Sequence, residues 1–166
     1  MTGLAVRVAE PGDAEAVARV LRASYPVLMA EAYDPALLAR ALPSITRPHP
    51  GLLRSGTYYL CEADGRAVGC GGWSFAEPDG RATEPGIAHI RHFATDARFA
   101  GRGVGRALYL RCETDARAAG AAGFLCYASR NGEGFYAALG FARIAAIDVP
   151  MGPDLLFPSI LMRRAI

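Results

Sequence analysis

Seven residues, Ala100-Gly101-Arg102-Gly103-Val104-Gly105-Arg106, carry the strongest chemical signal in this 166-residue sequence. Alternating glycines let a backbone adopt left-handed or crowded conformations and leave its N–H groups unshielded by Cβ atoms. A strand-like run ends before them near Thr95, and a helix-like run follows them to Ala119. The loop and the free N–H groups of the helix start therefore converge on one point, which suits a phosphate or pyrophosphate. Arg102 and Arg106 add fixed positive charge there. Spacing excludes two other phosphate loops. A dinucleotide fingerprint begun at Gly101 requires glycine where Arg106 stands, and a P-loop requires Lys-Ser or Lys-Thr where Arg106-Ala107 stands.

Residues 90 to 110 and 127 to 141 resemble the GNAT superfamily of acetyl-coenzyme-A-dependent N-acetyltransferases, whose loop reads Gln/Arg-x-x-Gly-x-Gly/Ala. Gly103-Val104-Gly105 fits the glycine positions, while Ala100 occupies the Gln/Arg position. Main-chain contacts do not depend on side-chain identity, so they remain available. The resemblance implies acetyl-CoA as cosubstrate, with no metal. Pantetheine would lie along the strand ending Phe93-Ala94-Thr95, and pyrophosphate would meet the N–H groups of Gly101 to Arg106, beginning beside Ala100. Asn131 matches an asparagine that contacts the coenzyme after the next strand. Phe135-Tyr136 followed by Leu139-Gly140-Phe141 matches the family's Phe-Tyr…Leu-Gly-Phe signature. Phe135 would thus belong to the coenzyme site, and Tyr136 would protonate the departing thiolate.

Elementary acid–base chemistry agrees with that role, because a phenol of ordinary pKa ~10 is protonated at neutral pH. The acceptor poses the opposite problem. A lysine-like amine of pKa ~10.4 is protonated at pH 7, and baring it costs about 4–5 kcal/mol. A base, or a water chain to one, is expected. His92 and His89 have suitable unperturbed pKa values of ~6.5, and Glu77 or Glu84 offers a carboxylate from a loop. Arg91 is an alternative kind of group, able to orient an acidic part of the substrate.

Three function classes follow. The leading one is direct acetyl transfer from acetyl-CoA to the amine of a small molecule or peptide. The second is a module that binds coenzyme A without turnover, and the third is another phosphate-ligand protein with the same loop. Asn131 and Tyr136 weigh against the third, and Tyr136 favours the first.

Composition bounds these readings. The length fits one domain, residues 1–166, with a real core. Apolar residues make up 52% and charged residues 20%, as in a globular protein. No run approaches the ~20 apolar residues of a membrane span, and the N-terminus lacks a basic-then-apolar leader, so a cytoplasmic location is expected. A net charge of +2 with scattered arginines gives no electrostatic support for a nucleic-acid or membrane partner. Cys61, Cys70, Cys112 and Cys126 lack C-x-x-C spacing and sit in apolar runs, which predicts buried thiols rather than a metal site.

The elements that must position the loop read as follows. Leu4 to Val8 alternates as a strand, and Asp13 is placed to cap a helix that Pro26 ends. Asp34-Pro35 starts a second helix. Residues 43 to 54, rich in proline and containing His49, are expected to form a loop over the substrate side. Asp64-Gly65 signals a tight turn between strands at Tyr58 to Glu62 and Ala67 to Phe75, with Gly71-Gly72 marking a bulge or close approach. Ile87 to Thr95 is the strand feeding the loop. Strict alternation puts Ile87, His89, Arg91 and Phe93 on one face, and Ala88, Ile90, His92 and Ala94 on the other. Val104, Leu108, Cys112, Ala116 and Ala119 make an apolar helical stripe ended by Gly120. A strand at Phe124 to Ala128, a helix at Glu133 to Leu139, and strands at Phe141 to Val149 and Leu155 to Arg163 complete the chain. Pro158 places the last strand on an edge or at a bulge, and such an edge offers a route to a homodimer. The aromatic side chains Tyr25, Tyr33, Trp73 and Phe75 are candidates for a pocket wall or for the core. The mixed order predicts an α/β (α+β) fold with a largely antiparallel central sheet flanked by helices.

Overall fold

A computed structural model describes residues 3–166. Seven strands form one sheet in the order β1-β2-β3-β4-β5-β7-β6. They are β1 (Ala5–Val8), β2 (Tyr58–Ala63), β3 (Arg66–Ser74), β4 (Ile87–Thr95), β5 (Gly123–Ser129), β6 (Ala142–Pro150) and β7 (Leu156–Ala165). Every neighbouring pair is antiparallel except β4 and β5. The β2–β3 hairpin turns at Asp64 and Gly65, which both have positive φ, at 51° and 74°. A two-residue turn of that kind matches the twist of the strands it joins.

Five helices cover the sheet: α1 (Ala14–Leu28), α2 (Pro35–Ile45), α3 (Pro50–Arg54), α4 (Val104–Ala118) and α5 (Glu133–Ala138). Alternation along β2 divides the core. Tyr59 and Cys61 join Val68, Leu108, Cys112 and Phe124 under α4, while Tyr58 and Leu60 join Val17, Leu21, Leu38 and Ala41 under α1 and α2. Such two-sided coverage makes the middle of the sheet apolar on both faces, and β3 accordingly buries Ala67 through Trp73 without a break. Trp73 is core, its Nε1–H donating to the Tyr59 hydroxyl at 3.0 Å.

Several local expectations are corrected. α1 continues two residues past Pro26, because a proline in the last turn forfeits only one helical hydrogen bond near an end that frays anyway. Asp13 does not cap it: its carboxylate instead accepts from the Glu10 N–H at 2.7 Å and pairs with Arg7 at 2.9 Å. Asp34 does cap α2, accepting from the Leu37 N–H. Residues 43 to 54 are not a loop throughout, since α2 runs to Ile45 and α3 follows a short turn. Ala119 is exposed beyond the end of α4.

The last strand is internal, not an edge: β7 lies between β5 and β6, and the free edges belong to β1 and β6. Pro158 is accommodated because β5 pairs with β7 only as far as Ser129 opposite Ser159, so the proline falls one residue past that ladder. The route to a homodimer through the last strand is thereby closed.

The most consequential departure is in β4. Its register against β3 shifts between Cys70 and Gly72, so that two residues, His92 and Phe93, oppose the single residue Gly71. His92 has φ 51°, an uncommon conformation for a side chain other than glycine. This β-bulge breaks the alternation. Ala88 and Ile90 share a face, under α4, but His92 turns to the α1–α2 side, against Tyr25 and Tyr58, and Phe93 packs on the α4 side. β4 pairs with β5 only from Ile87–Gly123 to His89–Leu125. Beyond that point the two strands part, and a cleft opens between them.

Candidate functional site

The cleft has a volume of about 430 Å³ and is walled by residues 90–93 of β4 and 126–129 of β5. Tyr25 of α1, Met29 just past its end, Ile45 of α2, His49, Tyr136 of α5, Met151, Phe157 and Ser159 also line it. β4 has no strand partner on this side after His89, so the main chain of Phe93, Ala94 and Thr95 presents a free edge. One carbonyl there is already engaged, as the Tyr25 hydroxyl donates to Phe93 O at 2.7 Å.

At the far end of β4 the glycine loop leads into α4. Gly101 and Gly103 have φ 74° and 85°, values that a side chain would strain. Gly103 is the N-cap residue and supplies no side-chain cap. The first intrahelical bond runs from Ala107 N–H to Gly103 O at 2.9 Å, so the N–H groups of Val104, Gly105 and Arg106 have no acceptor within the helix. Ala100 is extended and exposed. Arg102 and Arg106 are also exposed, with Arg102 5.2 Å over the Phe99 ring. Neither forms an ion pair among the described residues. Phe135 lies against the first turn of α4: a Cβ at Gly105 would come within 2.8 Å of its ring. Glycine at 105 thus lets α5 close on the helix start. Asn131 is exposed in the short turn before α5.

Tyr136 is 7% exposed and lines the cleft. Its ring meets Phe93, Phe135 and Phe141 at centroid distances of 6.3, 4.9 and 5.4 Å. Burial, with the Cys126 thiol alongside, raises its phenol well above the ordinary value, so the hydroxyl is a proton donor throughout the neutral range. Burial likewise pushes the Cys126 thiol up to about 12.

The two histidines of β4 part company. His92 borders the cleft, and its Nε2–H donates to Ile45 O at 2.8 Å. That fixes the tautomer and leaves Nδ1 as a buried acceptor with no partner among the described residues. Burial lowers its pKa to about 4, aided by His49 and Arg91. His89 is fully buried, off the cleft wall, with Nδ1 2.7 Å from Ile90 O and its ring edge-on to Tyr127. The two side chains are therefore not brought together.

The carboxylate candidates stand apart as well. Glu77 is engaged by Arg81 and the Tyr127 hydroxyl, and Glu84 is exposed near Arg163. Among the pocket candidates, Tyr25 lines the cleft. Tyr33 is buried, stacked on Phe157 at 4.4 Å, and Phe75 is 41% exposed on the surface. All four cysteines are buried and free, and among the described residues no group of three His, Cys, Asp or Glu could hold a metal. No helix of the described residues is long and apolar enough to cross a membrane.

Sequence reasoning missed Cys126 and Met151 as cleft residues, and it placed Ile45 and His49 only as part of a segment over the substrate side. Only the glycine loop and the Phe-Tyr signature carry a local signal; nothing near Ile45 announces that its carbonyl will meet a histidine 47 positions later.

The architecture has close counterparts among solved structures. A GCN5-related N-acetyltransferase from Rhodopseudomonas palustris superposes with a TM-score of 0.80 at 22% identity, over 100% of this chain and 98% of that one. The PaiA N-acetyltransferase from Thermoplasma acidophilum, solved in complex with coenzyme A, gives 0.74 at 16% identity, over 99% and 100%. N-acetylglutamate synthase from Neisseria gonorrhoeae, complexed with coenzyme A and N-acetyl-glutamate, gives 0.63 at 18% identity, over 99% of this chain and 35% of that one. No curated protein matches the sequence. The family profile described as acetyltransferase (GNAT) family matches residues 16–141, a span that takes in the bulged β4, the glycine loop and Tyr136, and the chain belongs to the GNAT acetyltransferase family.

Proposed function

We propose that this acyltransferase moves an acetyl group from acetyl-CoA to a primary amine by direct transfer within the cleft. One observation carries the reading: an uncapped helix start at one end of a free strand edge, and a buried phenol inside the cleft which that edge borders. The residues present fit the coenzyme. Unpaired N–H groups from Gly101 to Arg106, with Arg102 and Arg106 exposed beside them, suit the pyrophosphate. The unpaired edge of Phe93, Ala94 and Thr95 offers main-chain partners for the amides of pantetheine, with Phe135 and Asn131 flanking. When bound, acetyl-CoA supplies an acyl thioester, a carbonyl already activated toward an amine.

The chain's own groups then have distinct tasks. Tyr136 donates its hydroxyl proton as a hydrogen bond to the leaving sulfur, stabilising the charge that develops as the C–S bond breaks. Tyr136 passes that proton to the sulfur as it takes the C–S electron pair, and because its raised pKa disfavours the phenoxide it regains the proton that the amine nitrogen loses, leaving the N-acetyl amide and a free thiol. His92 is the imidazole at the cleft wall that takes up an amine proton as the C–N bond forms; at neutral pH it is uncharged. His49, edge-on to His92 at 5.9 Å and exposed, links that side of the cleft to solvent. His89, off the cleft wall, has no such task.

Calorimetric titration with acetyl-CoA, coenzyme A and ATP, followed by an amine panel read by thiol release, tests the reading. Binding of the first two but not ATP, with release from some amine, is the expected result. Coenzyme binding without release from any amine would favour a binding module, and no binding would overturn the assignment of the glycine loop.

A further inference from the structure

Arg91 is a cation in the wrong place for a site that admits only positively charged amines. It lines the cleft one residue before the bulge, half-buried, beside His92 and within electrostatic reach of His49. Its Nη1–H donates to Ser74 Oγ at 2.9 Å, and that hydroxyl in turn donates to Ala76 O at 2.6 Å. The guanidinium is held in place by a neutral group, with most of its five N–H donors unspent. Among the described residues no carboxylate pairs with it. The loop beside the cleft carries Glu77 and Asp79 on either side of the lining residue Pro78, yet both are taken by Arg81.

A partly desolvated charge without a counterion is costly, and it repels an incoming ammonium. Both problems vanish when the substrate brings the anion itself. We infer that the acceptor is an amine that also carries a carboxylate, as an amino acid does, and that Arg91 is the residue that binds this carboxylate. The inference rests on the acetyl-transfer reading and names its substrate class. A planar guanidinium fits a carboxylate through two parallel hydrogen bonds. Met29, Ile45, Met151 and Phe157 line the same cleft, and Arg91 is the only arginine or lysine among its lining residues.

The test uses the full-length protein, acetyl-CoA and a panel comprising the twenty free amino acids and β-alanine, each matched to its amide or decarboxylated amine. Thiol release from carboxylate-bearing members, with their partners at least tenfold poorer in kcat/KM, is expected. In Arg91→Gln, KM for the accepted amino acid should rise by about thirtyfold, the size of a lost charge-assisted pair. KM for acetyl-CoA should stay within threefold, and the carboxylate-free partner should gain rather than lose. Independently of turnover, titration of the coenzyme-loaded protein with the N-acetyl form of that amino acid should show binding that Arg91→Gln abolishes and Arg91→Lys partly restores. Equal or better use of the carboxylate-free amines, or an Arg91→Gln defect shared equally by both classes, would overturn the carboxylate assignment while leaving acetyl transfer standing. Absence of acetyl-CoA binding would instead remove the reading on which it rests.

Discussion

Replacing Tyr136 by phenylalanine removes one oxygen atom and leaves the packing intact, so it separates catalysis from folding. The ring contacts to Phe93, Phe135 and Phe141 are all made by carbon atoms that phenylalanine retains. Among the described residues the hydroxyl's hydrogen-bonding neighbour is the Cys126 thiol, a weak partner. The stability cost is therefore below about 1 kcal/mol, or ~2–4 °C in Tm for a chain of this size. The catalytic cost is larger, because a hydrogen bond to a charge developing on sulfur is worth about 1.5–3 kcal/mol and general-acid assistance about 10²–10⁴-fold. A fall of about 100-fold in kcat is expected, with KM for acetyl-CoA within threefold. The assay is steady-state thiol release on an accepted amine, alongside a thermal melt. A folded Tyr136→Phe protein with kcat within threefold of the parent would refute the assignment of the phenol to the leaving sulfur.

Other perturbations test the surroundings. Gly105→Val drives a side chain into the Phe135 ring and should weaken coenzyme A binding at least tenfold by calorimetry while the far-ultraviolet circular dichroism is unchanged. His92 has its pKa lowered to about 4 from an unfolded value of 6.5. The unfolded chain thus takes up a proton first as pH falls, and stability should drop by up to about 3 kcal/mol between pH 6.5 and 4. Denaturant melts of His92→Gln against the parent should show that component missing. Tyr59→Phe strands the Trp73 N–H, which now donates to the Tyr59 hydroxyl, and frees Asp115 from its 2.8 Å partner. About 1–3 kcal/mol of unfolding free energy should be lost, as measured by urea titration.

Much of the proposed coenzyme end of the site was legible along the chain, because its determinants are local. Backbone conformations that strain a side chain favour glycine at 101 and 103, and the apolar stripe from Val104 to Ala116 marks a packed helix. The Asp64-Gly65 turn and the cap at Asp34 are equally short-range. The Phe135-Tyr136 pair was found by its resemblance to a family signature, and the fold then explains it: Phe135 seals Gly105 and Tyr136 reaches the cleft.

The acceptor end was not legible, for a reason that is also physical. Alternation assigned His92 to the face of Ala88 and Ile90, but a bulge is created by a pair of strands and belongs to neither alone. The divergence of β4 from β5, which makes the cleft, is a property of a ladder that stops after three pairs. His92 receives its tautomer from Ile45, and Arg91 its isolation from Ser74 and from carboxylates committed elsewhere. Pro158 reads as an edge signal until β5 is seen to end beside it. Sequence by itself determined the elements whose energies are settled within a few residues: the glycine loop, its helix and the hairpin turn. Tertiary structure decided which side chains share the cleft and which charge in it lacks a partner, because pairing and desolvation depend on groups that meet only once the chain has folded.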